Sequence, residues 1–139
     1  MYLLDTNVLS ELRKVHKGQC DPAVLAWSQA MPHSELFISV ITIFELEVGI
    51  LLLERRDPAQ AARMRLWLAE QILPTFDDRI LNVELSTALI SATLHVPNKR
   101  PERDGFIAAT ALQHDFLMVT RNTRDFEGTG VRLLNPWES

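Results

Sequence analysis

Three short apolar runs, Tyr2 to Leu4, Leu36 to Ser39 and Leu117 to Val119, are each bounded by polar residues, and they limit the possible folds more than any other feature of the chain. Apolar stretches of that length without alternation suit strands buried on both faces. Arg79 to Val83 and Val131 to Leu134 are weaker candidates, the second suited to a sheet edge. Between them lie helical stretches at about Val8 to Lys14, Pro22 to Met31, Val40 to Arg56, Pro58 to Leu73, Glu84 to Leu94 and Arg103 to His114. Asp21 before Pro22 and Asp57 before Pro58 are helix starts, since the acid caps free N–H groups while proline fits the first turn. Strands alternating with helices predict an α/β fold, a mainly parallel sheet covered by helices on both faces. In such folds ligands bind beyond the carboxyl ends of the strands.

At 139 residues the chain is expected to fold as a single domain over 1–139, with no repeat or long linker to divide it. A chain of this size buries roughly two-thirds of its unfolded surface, so it needs neither disulfide nor structural metal. The single cysteine, Cys20, cannot form an intrachain bridge and suits a reducing compartment. Asp5 interrupts the amino-terminal apolar run after four residues, which speaks against a secretory signal. The most apolar run, Ile38 to Leu53, contains Glu45 and Glu47 and is shorter than the about 20 residues a bilayer requires. A cytoplasmic protein without a membrane partner is the expectation. The net charge of −4, from 14 Lys and Arg against 18 Asp and Glu, excludes a basic nucleic-acid coat. It leaves room for a nuclease whose acids are neutralised by a bound cation.

Four acids fall where the topology gathers them. Asp5 follows the first strand directly and projects at the carboxyl edge of the sheet, although it also fits as a helix cap before VLSELRK. Glu45 lies in VITIFELEVGILLLERR, apolar on nearly every face, where a bare carboxylate is costly unless paired or metal-bound. Glu47, two positions on, points about 200° away on a helix, so the two cannot share a pocket. Glu47 lies on the stripe of Glu54, whereas Glu45 stacks with Thr42 and Gly49, small residues that leave space; a surface ion pair is the plain alternative for either acid. Asp104 opens the helix DGFIAATALQH, where the dipole favours an acid and where Ala108 and Ala111 permit a close approach. Asp125 emerges after the strand LMVT in the turn TRNTRDF, with Thr120 and Asn122 as further oxygen donors and Phe126 placed to plug the core.

Taken singly, each acid has a structural explanation. Together, two from strand ends, one at a helix start and one on an apolar helix converge on one cleft in a doubly wound topology. Clustered carboxylates raise one another's pKa unless a cation holds them. Oxygen ligands without a His or Cys partner suit Mg²⁺, with Mn²⁺ as substitute, rather than zinc. The chemistry served best is phosphodiester hydrolysis by metal-activated water.

The segments LLDTNVLSEL, SVITIFELEVGI, RDGFIAATALQHDFLMVTRNTRDFE and the closing LNPW, in this order over nearly the whole chain, resemble the PIN domain ribonucleases. Within them the chain is similar to VapC-type toxins of toxin–antitoxin pairs, on the FitB-like branch. The resemblance implies a PIN-like three-layer α/β/α sandwich and a Mg²⁺-dependent endoribonuclease that cuts cellular RNA and is silenced by a cognate antitoxin. Operator DNA would be met only through that antitoxin, and a homodimer or higher toxin–antitoxin assembly is implied. It places the catalytic, metal-binding set on Asp5, Glu45, Asp104 and Asp125, with Thr6, Asn7, Thr120 and Asn122 in support. The polar Asn122 leaves one metal or two open. Arg103 departs from the small or apolar residue of the family, and phosphate or solvent are both open to it. Dimerisation or core burial would each explain the apolar excess of Val40 to Leu53.

Other classes fit less well. A haloacid-dehalogenase-like phosphatase needs a second Asp two residues after the first, and Asn7 stands there. A receiver-type phospho-acceptor wants a lysine by the acids, whereas Lys14, Lys17 and Lys99 lie outside the candidate strand ends. No Gly-rich loop ends in Lys-Ser or Lys-Thr, which excludes a P-loop. The remaining alternative is a catalytically weak PIN-like scaffold acting as a binding or regulatory partner.

Overall fold

The computed structural model describes residues 1–138. Five strands, β1 (Tyr2–Leu4), β2 (Leu36–Ser39), β3 (Ile80–Leu81), β4 (Leu117–Val119) and β5 (Leu133–Leu134), form one sheet in the order β3-β2-β1-β4-β5. Every pairing is parallel, with Leu3 opposite Phe37 and Met118, and Leu4 opposite Val119. The two-residue strands β3 and β5 form the edges, so the weaker strand candidates are the outermost ones. Short edges also limit unwanted pairing with other chains.

The helices are α1 (Thr6–Leu12), α2 (Pro22–Ala30), α3 (Val40–Glu54), α4 (Pro58–Trp67), α5 (Leu73–Thr75), α6 (Leu85–Leu94) and α7 (Glu102–His114). Asp21 accepts from the Ala23 and Val24 amides and Asp57 from that of Gln60, so both acids cap as the sequence predicts. The helix expected over Pro58 to Leu73 is interrupted. It widens into a π turn at Leu68–Ile72 before α5, where Pro74 cannot donate the next helical hydrogen bond.

Successive residues of β1 serve opposite layers, as a strand requires. Leu4 joins Val8, Leu9, Trp27, Ile38, Leu46, Ile50, Trp67 and Val119 in one core. Leu3 joins Ile107, Ala108, Ala111, Met118 and Phe126 in the other. Phe126, 2% exposed, does plug the core beneath the turn after β4. The outcome is the three-layer sandwich, with the chain direction across the sheet reversing between β1 and β4.

Close contact between α6 and α7 sets the position of the first turn of α7. A Cβ on Gly105 would stand 2.8 Å from His95 Nε2 and 2.9 Å from Ser91 Oγ, both on the neighbouring segment. Glycine costs about 1 kcal/mol against alanine in a helix, and here it admits the contact. Gly105→Val is therefore expected to lose about 1–3 kcal/mol of stability through overpacking, measured by urea unfolding, whereas a substitution at the open Gly49 is expected to stay within about 0.5 kcal/mol apart from helix propensity.

Candidate active site

Asp5 is at once the helix cap and the centre of the acid group. Its Oδ1 accepts the Thr6 amide at 2.8 Å as α1 begins, while Oδ2 accepts Thr120 Oγ1 at 2.8 Å from the end of β4. Asn7 Nδ2 adds contacts of 3.5 Å to Asp5 and 3.3 Å to Thr120. The two adjacent parallel strands thus end in one hydrogen-bonded knot, at the sheet's reversal point. Asn122 donates its amide to Thr120 Oγ1 at 3.1 Å, tying the turn after β4 to the same knot.

Glu45 reaches the group from α3. Its Oε1 accepts Thr6 Oγ1 at 2.7 Å, and Thr6 also contacts the buried Thr42 Oγ1 at 3.2 Å. Glu47 points elsewhere, binding Arg65 at 3.0 Å, and Arg65 also holds Glu54. The opposed directions of the two glutamates are those the helical angle requires. Arg103 Nη1 stands 3.8 Å from Glu45 Oε2 and lies over the Phe44 ring at 5.1 Å.

An open cleft of about 400 Å³ joins Asp5, Thr6, Asn7, Glu45, Asp104 and Asn122. Asp125 is exposed beside it and repels both Asp5 and Asp104. Burial, and then the charges of Asp5, Asp125 and Glu45, push the Asp104 carboxyl up to about 6, against a smaller opposing pull from Arg100. Burial also raises Asp5, although its bonds from Thr120 and Thr6 hold it back. Among the described residues no three His, Cys, Asp or Glu side chains stand close enough to ligate one ion directly. The donors are all oxygen, however, and their mutual repulsion is what a cation would relieve. A hard ion that keeps several waters, as Mg²⁺ does, suits such an open carboxylate set.

Sequence reasoning missed part of the wall. Ser10, Glu11, Lys14, Arg121 and Trp137 also line the cleft. Lys14, expected to lie away from the acids, stands in it because Asn7, Ser10, Glu11 and Lys14 share one helical stripe, a spacing that could have revealed them. Glu11 and Lys14 already have partners. Glu11 accepts the Asp21 amide at 2.9 Å and Lys14 Nζ at 3.1 Å, and that amide, opposed by some burial and aided by Lys14, lowers its pKa. A separate apolar hollow lined by Leu9, Leu12, Trp67, Ile72 and Phe76 has no carboxylate and lies off this chemistry.

The carboxylate cleft lies at the reversal point of a parallel sheet, and residues 2–131 match the PIN domain model, a nuclease family. The chain belongs to the PIN domain family, on its branch of VapC-type toxins. It is 37% identical to the VapC ribonuclease Y4jK of Sinorhizobium fredii over 99% of both chains, and 36% identical to toxin FitB of Neisseria gonorrhoeae over 99% of both. The crystal structure of FitAcB from Neisseria gonorrhoeae superposes with a TM-score of 0.89 at 34% identity, covering 100% of both chains. A structure of FitAB bound to an IR36 DNA fragment superposes at 0.87 with 33% identity, over 99% of this chain and 96% of that one.

The raised Asp104 pKa carries a stability prediction. The folded state favours the protonated carboxyl, so the penalty for ionisation is absent below the unfolded value near 4 and complete above about 6. In chelator, Asp104→Asn is expected to melt above the parent at pH 7.5, by roughly 2–6 °C. The gap should close as the pH falls through 6 towards 4. A constant gap in a thermal melt series would show that ionisation at 104 is opposed neither by burial nor by the neighbouring acids.

Proposed function

We propose that this chain, acting as one domain over 1–139, is a Mg²⁺-dependent endoribonuclease toxin that cleaves cellular RNA and is neutralised by a cognate antitoxin in the cytoplasm. The observation that carries the reading is the convergence of Asp5, Glu45 and Asp104 on one polar cleft, with Asp125 beside it. The relatives named VapC ribonuclease and toxin FitB support the activity and its biological setting. The DNA-bound FitAB structure supports operator contact by way of an antitoxin. No helix among the described residues is long and apolar enough to cross a membrane.

In the mechanism proposed, Asp5, Glu45, Asp104 and Asp125 would hold Mg²⁺, or Mn²⁺ in its place, which would supply a water of lowered pKa and neutralise charge on the scissile phosphate. Thr6 orients Glu45 through its hydroxyl, and Thr120 with Asn7 fixes the Asp5 rotamer. The Asp104 carboxyl, held up by burial and then by the charges of Asp5, Asp125 and Glu45, is the one whose ionisation a bound cation would favour most. On the outer side of α3, Phe44, Leu51 and Leu52 are 51%, 49% and 59% exposed, so burial in this chain does not account for them. That face supports a second copy or the antitoxin as partner. The scaffold alternative would leave the acid cluster, with its mutual repulsion, without a role.

Expression without antitoxin is expected to stop growth, and Asp104→Asn to restore it. With purified protein, Glu45→Gln should cut RNA cleavage by roughly a hundredfold or more, while Glu47→Gln should leave it within about twofold, because removing an exposed ion pair has little effect. Chelator should abolish cleavage and Mg²⁺ restore it. Equal losses from the two glutamate variants, or cleavage in chelator, would refute the assignment.

A further inference from the structure

Four cations stand by the acids, and three of them are engaged, Arg100 by the Leu94 and Asp125 carbonyls. Lys14 is held by Glu11 and Arg103 by Glu45. Arg121 is different: among the described residues its guanidinium meets no carboxylate, and it lies over the Trp137 ring at 5.2 Å. Both Arg121 and Trp137 line the cleft.

Their arrangement is built from the backbone. The Arg121 amide donates to Asn7 Oδ1 at 3.3 Å, which fixes it to the knot around Asp5. Asn135 Nδ2 donates to the Arg121 carbonyl at 3.3 Å, and Asn135 Oδ1 accepts the Trp137 amide at 2.9 Å. One asparagine thus binds the strand-end turn to the carboxyl-terminal turn and holds the guanidinium over the indole. An exposed arginine normally loses side-chain entropy when it grips a ligand; stacking on a held ring removes part of that loss beforehand.

We infer that Arg121, stacked on Trp137, is a phosphate anchor for single-stranded RNA, gripping a backbone phosphate next to the one that is cut. The inference rests on the ribonuclease reading and adds to it the residue that aligns the strand. An acidic centre repels the polyanion it must hydrolyse, so a cation beside it has to hold the strand where the carboxylates cannot. Of the two cations that line this cleft, Lys14 is paired with Glu11, whereas Arg121 meets no carboxylate among the described residues.

The test is binding of a fluorescently labelled single-stranded RNA to metal-free protein, by anisotropy across a salt series. Each phosphate contact to a single strand contributes about 0.7 to the slope of log affinity against log salt. Arg121→Gln is expected to weaken binding roughly tenfold and to flatten the slope by about 0.7. Arg121→Lys should keep the slope while losing part of the affinity. Arg132→Gln, on a cation that pairs with Asp115 at the other end of the sheet, is expected to bind as the parent does. Trp27 and Trp67 are each 8% exposed and Trp137 is more open, so RNA should quench the parent's tryptophan emission and not that of Trp137→Phe. An Arg121→Gln slope equal to the parent's, a slope lost equally in Arg132→Gln, or quenching that survives Trp137→Phe would overturn the anchor. If the parent fails to cleave RNA with Mg²⁺, the ribonuclease reading falls; if it cleaves and Arg121→Gln keeps the parent's slope, only the anchor falls.

Discussion

A carboxylate with most of its surface out of water, set among other carboxylates, is the constraint around which this molecule is arranged. Asp5 is 7% exposed, at the end of the central strand, and desolvation is the largest influence on its ionisation. Hydrogen bonds to the charged form are the protein's means of opposing that effect. They come from the two elements the strand order brings together, the start of α1 and the end of β4. The parallel pairing of β1 with β4 therefore carries more than a ladder. It sets the Thr120 hydroxyl beside Asp5, and a slip of one residue would turn that hydroxyl to the opposite face.

The same constraint explains why the site is assembled from distant parts of the chain. A single segment could not bring Asp5, Glu45 and Asp104 to one cleft, since neighbours on a strand or helix point apart. Glu45 and Glu47 illustrate this within one helix: the first reaches Thr6 across the cleft and the second binds Arg65 on the outside. Assembly from a strand end, the middle of a helix and the first turn of another helix solves the angular problem. It also makes the geometry depend on packing between α6 and α7, where Gly105 admits the approach that places Asp104.

Much of this was legible in the sequence. Strands of three or four apolar residues leave little freedom of register, and an acid directly after one of them must stand at the sheet's carboxyl edge. Helix starts at Asp21 and Asp57 were legible because their capping is local chemistry. The π turn at Leu68–Ile72 was not, because helical periodicity does not record one extra residue per turn. The carboxyl-terminal side of the cleft was hidden for another reason. Trp137 meets Arg121 only when the turn after β4 and the last turn of the chain close on Asn135, a contact that no spacing in the sequence announces.

For the ribonuclease proposed, charge distribution resolves the apparent conflict between an acidic chain and a polyanionic substrate. Acids at the floor of the cleft and cations at its rim create opposite fields a few ångströms apart, and the net charge of −4 describes neither. The Arg103–Glu45 pair shows how the two fields can coexist. At 3.8 Å, with the arginine side chain 50% exposed, it is a weak pair of the kind worth at most about 1 kcal/mol. A divalent ion drawn to the carboxylates would easily outcompete it for Glu45. Arg103 would then be released while still held over Phe44, so filling the acidic floor would increase the positive charge free at the rim. In the ribonuclease reading proposed above, the cation and an RNA strand would assist each other's binding, because each would remove a repulsion that opposes the other.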